Sequence, residues 1–401
     1  MNFIFLSGIL FDYDEILKNS HTNVQNAANV LQSKFLDGFI QNDEIKSLDV
    51  INLPYLGSYP KYYKKCVFRT ELEYKELNSK ATIYNVSFNN ISIIKNFSRF
   101  ILSFLKSYKI MGNLSKNLDK TVFIVYAMHL PFLMTAFCLK KFFPQTKFYV
   151  IIPDLPEYMS NRKGIASLFF KIISKISYLI VNNLDGVVIL TEQMKSKFSP
   201  SLRSVVVEGI SSNNDFLKFE NEVIAKQNFF LYSGTLDNRY GLKTLIDSFN
   251  QLSSEDETEL YICGDGPDKK TILKAVEDNP KIKYFGLLPR EEVLILQKKA
   301  KLLINPRNDK SEFTKYSFPS KTLEYMSSGT PVLMYKLSGM PEEYFNYLYT
   351  VEDDTSFTNQ LVKLSQIDSS LLKQKGEKAR NFVDEYKNPK FQVKKILNAL
   401  G

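Results

Sequence analysis

Histidine and cysteine are scarce in this chain of 401 residues, and each scarcity closes off a class of chemistry. Only two histidines occur, His21 and His129, which excludes a multi-histidine metal centre. The three cysteines, Cys66, Cys138 and Cys263, lie far apart and form no Cys-x-x-Cys pair. So odd and scattered a set argues against a disulfide framework or zinc site and fits a reducing compartment, so a cytoplasmic protein is expected. No run of about 18 apolar residues is free of charge, so no membrane-spanning helix is expected. The opening Met1-Asn2-Phe3-Ile4-Phe5-Leu6 is apolar but carries no basic segment, and it reads as a first β-strand, not a leader.

What is present is the composition of a globular protein, 44% hydrophobic and 24% charged, on a chain long enough for two cores. Its net charge of +9 is unevenly placed. Residues 1–210 hold 25 lysines and arginines against 16 acids, and residues 211–401 hold 27 of each. A basic first half points to an anionic partner, such as a phospholipid surface or a lipid-linked pyrophosphate, or to solubility alone. Lys/Tyr clusters such as Tyr59–Arg69 also occur in nucleic-acid binders, but no recognised nucleic-acid module accompanies them, and no nucleic-acid partner is expected.

Short apolar runs alternate with longer amphipathic stretches. Strands are expected at Phe3–Leu6, Val122–Tyr126, Phe148–Ile152, Gly186–Leu190 and Val205–Val207, then at Phe229–Tyr232, Glu259–Ile262, Lys283–Phe285, Leu302–Ile304 and Pro331–Met334. Apolar strands separated by helices predict an α/β protein with two doubly wound parallel sheets, ligands lying at the carboxyl ends of the strands. The polar turn at 211–215 places the domain boundary near residue 210, giving domains over 1–210 and 211–387 and a last helix over 388–401. Lys163–Asn182 forms a candidate basic amphipathic helix. Lys163, Lys171, Lys175 and Tyr178 fall on one face, and Leu168, Phe169, Ile172, Ile176 and Leu179 on the other. It reads either as a helix packed on the sheet with lysines outward, or as a patch touching anionic membrane. Asp12-Tyr13-Asp14 has the form of a metal-binding acid triplet but reads as a solvated loop, and no metal site is assigned.

The most informative stretch is Tyr316-Ser317-Phe318-Pro319-Ser320-Lys321-Thr322-Leu323-Glu324-Tyr325-Met326-Ser327-Ser328-Gly329-Thr330-Pro331-Val332. It reads as a turn, a helix, a glycine stop and a strand. A helix N-terminus is an anion site, because its first N–H groups have no partner and the dipole is positive there. Pro319 and Ser320 suit that terminus, and Lys321 adds a charge beside it. Glu324 follows one turn on, in reach of a sugar hydroxyl. Phosphate cradle, cation and carboxylate together point to a nucleotide-sugar site.

This stretch resembles the donor-binding segment of the GT-B glycosyltransferases, specifically family four, and matches the Phe-Pro-Ser-Lys-x-x-Glu-Tyr variant of a branch that builds bacterial surface polysaccharides. The family carries two glutamates eight apart. Glu324 stands at the second position and Tyr316 at the first, so the contact to the transferred sugar passes to another residue, Asp309 or Glu312 among the candidates. The resemblance implies a GT-B fold, two Rossmann-like domains facing a central cleft. It implies transfer of a sugar from a UDP- or GDP-sugar to a saccharide acceptor, with retention and with no metal or other cofactor. Surface-polysaccharide assembly implies capsule, exopolysaccharide or O-antigen as the product. The basic first half makes a lipid-pyrophosphate-linked acceptor at the cytosolic membrane face the expected one.

Residue by residue, the resemblance places Gly8, Gly234, Thr235, Gly264 and Gly266 along the donor cleft with Phe318, Pro319, Ser320, Lys321, Thr322 and Glu324. Thr235 and Tyr240 stand where the family has Arg and Lys, and Arg239 is placed to supply the missing cation. Leu288 and Pro289 would flank the base. Arg307, at the end of a strand, is either a pyrophosphate ligand or part of a surface salt bridge. His129 matches a family histidine that orients the donor. Asp154 and Glu157 follow a strand and are candidates for acceptor contact or base work, or equally a helix cap and turn. Two other functions stay open on these residues: a GT-B nucleotide-sugar epimerase, and a catalytically silent partner subunit.

Overall fold

The computed structural model describes every residue except 23, 25, 71–73, 159–164, 212–215, 217, 220–223 and 401. Lys163 and most of the polar turn at 211–215 therefore lie outside the described residues. The chain divides into two compact units, Met1–Glu208 with Pro389–Gly401, and Gly209–Asn388.

The first unit is built on β1 (Asn2–Ser7), β2 (Ser47–Asn52), β4 (Tyr74–Asn78), β5 (Ala81–Asn85), β7 (Thr121–Tyr126), β8 (Lys147–Ile152), β9 (Gly186–Ile189) and β10 (Arg203–Val206). They form one sheet in the order β10-β9-β8-β7-β1-β2-β5-β4, and a small antiparallel pair, β3 (Val67–Phe68) with β6 (Phe88–Asn89), stands apart. All neighbours in the large sheet are parallel except β4 with β5. The apolar runs become the central strands because both of their faces are covered: Phe3–Leu6 and Val122–Tyr126 are buried throughout.

The helices of this unit are α1 (Tyr13–Lys18), α2 (Asn26–Gln41), α3 (Ser92–Asn113), α4 (Leu130–Phe142) and α5 (Ile165–Asn182), joined by α12 (Pro389–Leu400) from the end of the chain. α3 packs on α4 and α4 on α5, while α12 packs on α2. Gly38 permits that last contact. A Cβ there would stand 2.5 Å from the Pro389 carbonyl oxygen and from Val393. Asn42 then donates to the carbonyls of Gly38 (2.6 Å) and Lys390 (3.1 Å).

The second unit holds β11 (Gln227–Ser233), β12 (Glu259–Cys263), β13 (Ile282–Tyr284), β14 (Ala300–Asn305), β15 (Val332–Tyr335) and β16 (Tyr349–Val351), all parallel, in the order β13-β12-β11-β14-β15-β16. Its helices are α6 (Leu242–Phe249), α7 (Lys269–Asp278), α8 (Arg290–Lys299), α9 (Ser320–Ser327), α10 (Asp354–Gln366) and α11 (Ser369–Tyr386).

Each sheet has one point where the strand order reverses: between β1 and β7 in the first unit, and between β11 and β14 in the second. Connections leave such a point in opposite directions, which opens a crevice at the carboxyl ends of the two strands. Gly8 follows β1 and His129 follows β7. Gly234 follows β11 and Arg307 follows β14. The topology thus places these four residues at the two crevices.

The strands β2, β3, β4, β5, β6 and β16 lie outside the apolar runs named above, and Asp14 lies in α1, not in a loop. α5 packs inward through Ser177, Ile180 and Val181, and its apolar residues Leu168, Phe169, Ile172, Ile176 and Leu179 face solvent together with Lys171 and Lys175.

Candidate active site

In the second unit the motif stretch forms the helix it predicts, with Pro319 at the cap of α9 and Lys321 in its first turn. Glu324 is mostly buried, its side chain 18% exposed. Its Oε1 accepts from Gln297 Nε2 of α8 (2.7 Å) and Lys321 Nζ (3.1 Å), and its Oε2 from Arg290 (3.2 Å). Burial alone pushes the carboxyl pKa up, but Lys321, Gln297 and Arg290 more than offset it and leave it at about 2. Glu324 is therefore an ionised hydrogen-bond acceptor at physiological pH and is unsuited to donate a proton.

Gln297 and Tyr325 extend this network to the end of β11. Tyr325 Oη accepts from the Ser233 amide (2.9 Å), and Gln297 Nε2 also lies 3.3 Å from Ser233 Oγ. Neither residue was singled out from sequence. Gln297 sits mid-helix with nothing local to distinguish it, although Tyr325 is part of the motif and could have been read.

Arg307 is 7% exposed, so the surface salt bridge is excluded. Its Nη2 donates to Ser317 Oγ (2.6 Å), its guanidinium lies 4.6 Å from the Phe313 ring, and its Nε is buried without a partner. No carboxylate reaches ion-pair distance among the described residues. Burial lowers its pKa, with Tyr240 and Asp309 pulling the other way. A buried cation with a spare donor at a sheet switch point is suited to an anion.

Other positions are already occupied within the protein. Arg239 is clamped by Asp237 through Nε and Nη2 at 2.6–3.0 Å, so its charge is neutralised locally. Phe318 is buried against Tyr344 (5.3 Å), a packing role in place of a donor contact. Thr322 is likewise buried and accepts from Asn305 Nδ2 (3.1 Å). Gly264, at φ +135°, is pressed against Gly234, where a Cβ would stand 1.8 Å from the carbonyl oxygen. The Gly234 amide donates to Cys263 (3.0 Å) and that of Gly264 to Gly286 (2.8 Å). A Cβ on Gly266 would meet the Leu236 backbone. These glycines thus let the loops after β11 and β12 interlock, and the amides of Gly234 and Gly264 are not free for phosphate. Thr235, Pro289 and Ser320 are exposed, and Leu288 is half-buried. Asp309 is held by Thr314 (2.6 Å) and Ser338 (3.1 Å).

In the first unit Tyr55, also missed from sequence, joins Gly8 to His129. Its ring lies against Gly8, where a Cβ would be 2.5 Å away, and 5.3 Å from the His129 ring, and its hydroxyl donates to the Tyr126 carbonyl (2.7 Å). The Gly8 amide donates to Gln32 (2.7 Å). Ala127, at φ +65°, makes the turn that brings His129 back; this is a conformation non-glycine residues adopt only under constraint. His129 Nδ1 is buried without a partner, and burial, Arg99 and Lys95 hold its pKa well below the usual range, so the imidazole is neutral. Asp154 is exposed at the end of β8, yet the protein packed around it raises its pKa. Glu157 accepts from Tyr178 (2.9 Å) and pairs with Lys197 (3.3 Å). Among the described residues there is no cluster of three or more His, Cys, Asp or Glu able to hold a metal.

Comparison with known proteins bears on the family and the fold. Residues 213–382 match the family model for glycosyl transferases, group 1. N-acetyl-alpha-D-glucosaminyl L-malate synthase of Bacillus anthracis is 22% identical over 236 residues, which is 57% of this chain and 57% of that relative. Among solved structures, an alpha,alpha-trehalose-phosphate synthase from Burkholderia xenovorans superposes with a TM-score of 0.63 at 9% identity, over 100% of both chains. The lipopolysaccharide outer core galactosyltransferase WaaB does so at 0.58 and 14% identity, over 100% of this chain and 99% of its own. The fold is GT-B.

Proposed function

We propose that the chain is a group 1 glycosyl transferase, on the match of residues 213–382 to that family, and that it moves a sugar from a nucleotide diphosphate sugar to a saccharide hydroxyl. The second unit binds the donor and the first holds the acceptor. The observation that carries this reading is Arg307, a buried cation with an unused donor at the switch point beside the motif that contains α9. In the transfer the bond from the anomeric carbon to the diphosphate oxygen breaks, and a bond to the acceptor oxygen forms. The acceptor proton leaves with the diphosphate or to water. Negative charge grows on the leaving diphosphate, and the α9 amides, Lys321 and Arg307 stabilise it without a metal being assigned a step. Glu324, ionised, accepts from a sugar hydroxyl of the donor. Neutral His129 orients the donor sugar, and Asp154, with its raised pKa, is the acid placed for acceptor contact.

The finer reading is a retaining transferase that extends a lipid-linked saccharide in capsule, exopolysaccharide or O-antigen synthesis, working at the membrane surface. The galactosyltransferase likeness and the excess of cations in residues 1–210 support it. No helix among the described residues is long and apolar enough to cross a membrane. The clamping of Arg239 by Asp237 favours one competitor, a silent partner subunit with weak donor binding.

A thermal-shift panel of the purified protein against UDP, GDP, ADP, CMP and their sugars tests the proposal. A ligand that binds only the folded state raises the melting temperature. A shift with one diphosphate names the base, and no shift with any transfers weight to the silent subunit.

A further inference from the structure

α3 is built inside out. Lys95, Arg99, Ser103 and Ser107, four residues apart along one stripe, are all buried. Its outward side carries Ile93 (86% exposed), Phe97 (65%) and Leu105 (57%). α5 repeats the pattern, with Leu168, Phe169 and Leu179 each above 60% exposed. Between them α4 adds Phe142, whose ring stands 5.7 Å from Tyr108 of α3. Water selects the opposite arrangement, apolar stripes inward and charges outward, and extended exposed apolar surface marks a docking site.

The charge of the same three helices identifies what docks. α3, α4 and α5 together contain no Asp or Glu, while Lys109, Lys141, Lys171 and Lys175 are exposed on them. A second copy of this face would bring the same lysines and repel. A surface of acyl chains under anionic headgroups satisfies both features, taking up Phe and Leu side chains and pairing with the lysines around them. We infer that the α3–α4–α5 face of the first unit docks on an anionic lipid bilayer. The inference stands on exposure and charge in this unit, independently of the donor reading.

Flotation of the full chain with phosphatidylcholine vesicles, with and without phosphatidylglycerol, tests it. The protein floats with the anionic vesicles only, and added salt weakens the association. The double variant Phe97→Ser/Phe169→Ser binds about tenfold or more weakly, from the lost apolar contact. Lys171→Gln/Lys175→Gln binds roughly 25-fold more weakly, about fivefold per lysine. All four side chains face solvent, so both variants keep the wild-type melting temperature and its response to nucleotide. Failure to float, or flotation unchanged by both variants, overturns the inference. So does a dimer in sedimentation equilibrium that the phenylalanine variant dissolves, since that makes the face a self-association surface.

Discussion

Replacing Arg307 by Met separates a binding role from a structural one, because the two predict opposite pairs of results. Arg307 is almost fully buried, has no carboxylate partner and keeps Nε unsatisfied. The folded protein therefore bears a desolvation cost for this charge, partly offset by the bond to Ser317 Oγ and the Phe313 contact. Removing the charge relieves the first and loses the second. A charge-assisted hydrogen bond contributes about 1.5–3 kcal/mol and a desolvated cation–π contact about 2 kcal/mol, comparable with the penalty relieved. The net change in stability is thus about 1–2 kcal/mol in either direction, a shift of roughly 2–8 °C for a unit of this size. Binding of a nucleoside diphosphate loses at least one charge-assisted bond, about 2 kcal/mol or about 30-fold in Kd. Calorimetric titration with UDP and with GDP, beside thermal melting of wild type and Arg307→Met, reads both numbers. A fall in melting temperature of about 10 °C or more with unchanged diphosphate affinity refutes the reasoning and makes Arg307 a structural residue.

Glu324→Gln tests the carboxylate network through pH. The folded pKa of about 2 lies below the ordinary 4.5, so the pairing stabilises the protein fully above pH 4.5 and is lost as pH falls toward 2. The gap between wild type and variant in urea unfolding is at most about 3 kcal/mol at pH 6, and it closes through that acid window. Lys95 works the other way. Burial, with Arg99 adding, pulls its pKa to about 7 from 10.5, so the folded state binds this proton more weakly than the unfolded chain. Its penalty is fully present below pH 7 and fades as pH rises toward 10.5. Lys95→Met therefore stabilises the protein at pH 6, by an amount that shrinks by pH 10. A loss of stability at pH 6 would show that the bond from Lys95 to the Leu56 carbonyl outweighs desolvation.

The strands legible in the sequence were those buried on both faces, such as Phe123–Tyr126 and Leu302–Ile304, because continuous apolar runs carry their own signal. β2 was not legible: Ser47, Asp49 and Asn52 interrupt its apolar residues, and Asn52 serves as a polar bridge to Ser7 and Asn85. The motif helix, expected to start at Pro319 or Ser320 and to stop at Gly329, forms over Ser320–Ser327, because its terminating residues are local. The orientation of α5 was not. Its hydrophobic stripe gave a side, and the sheet took a different one through Ser177 and Val181.

By itself, the sequence determined the fold class, two largely parallel sheets with helices between their strands, and singled out the stretch that forms α9 with Glu324 and Lys321. Apolar periodicity, caps and turn residues act within a few neighbouring positions, so a reader of the chain can follow them. Tertiary structure alone decided that Glu324 is held ionised by Gln297 and Arg290 from another helix, that Arg307 is buried while Arg239 is neutralised, and that Tyr55 joins Gly8 to His129. It also decided which side of α3 and α5 meets solvent. Desolvation and Coulomb energies are sums over every group packed around a site, and those groups come from distant parts of the chain.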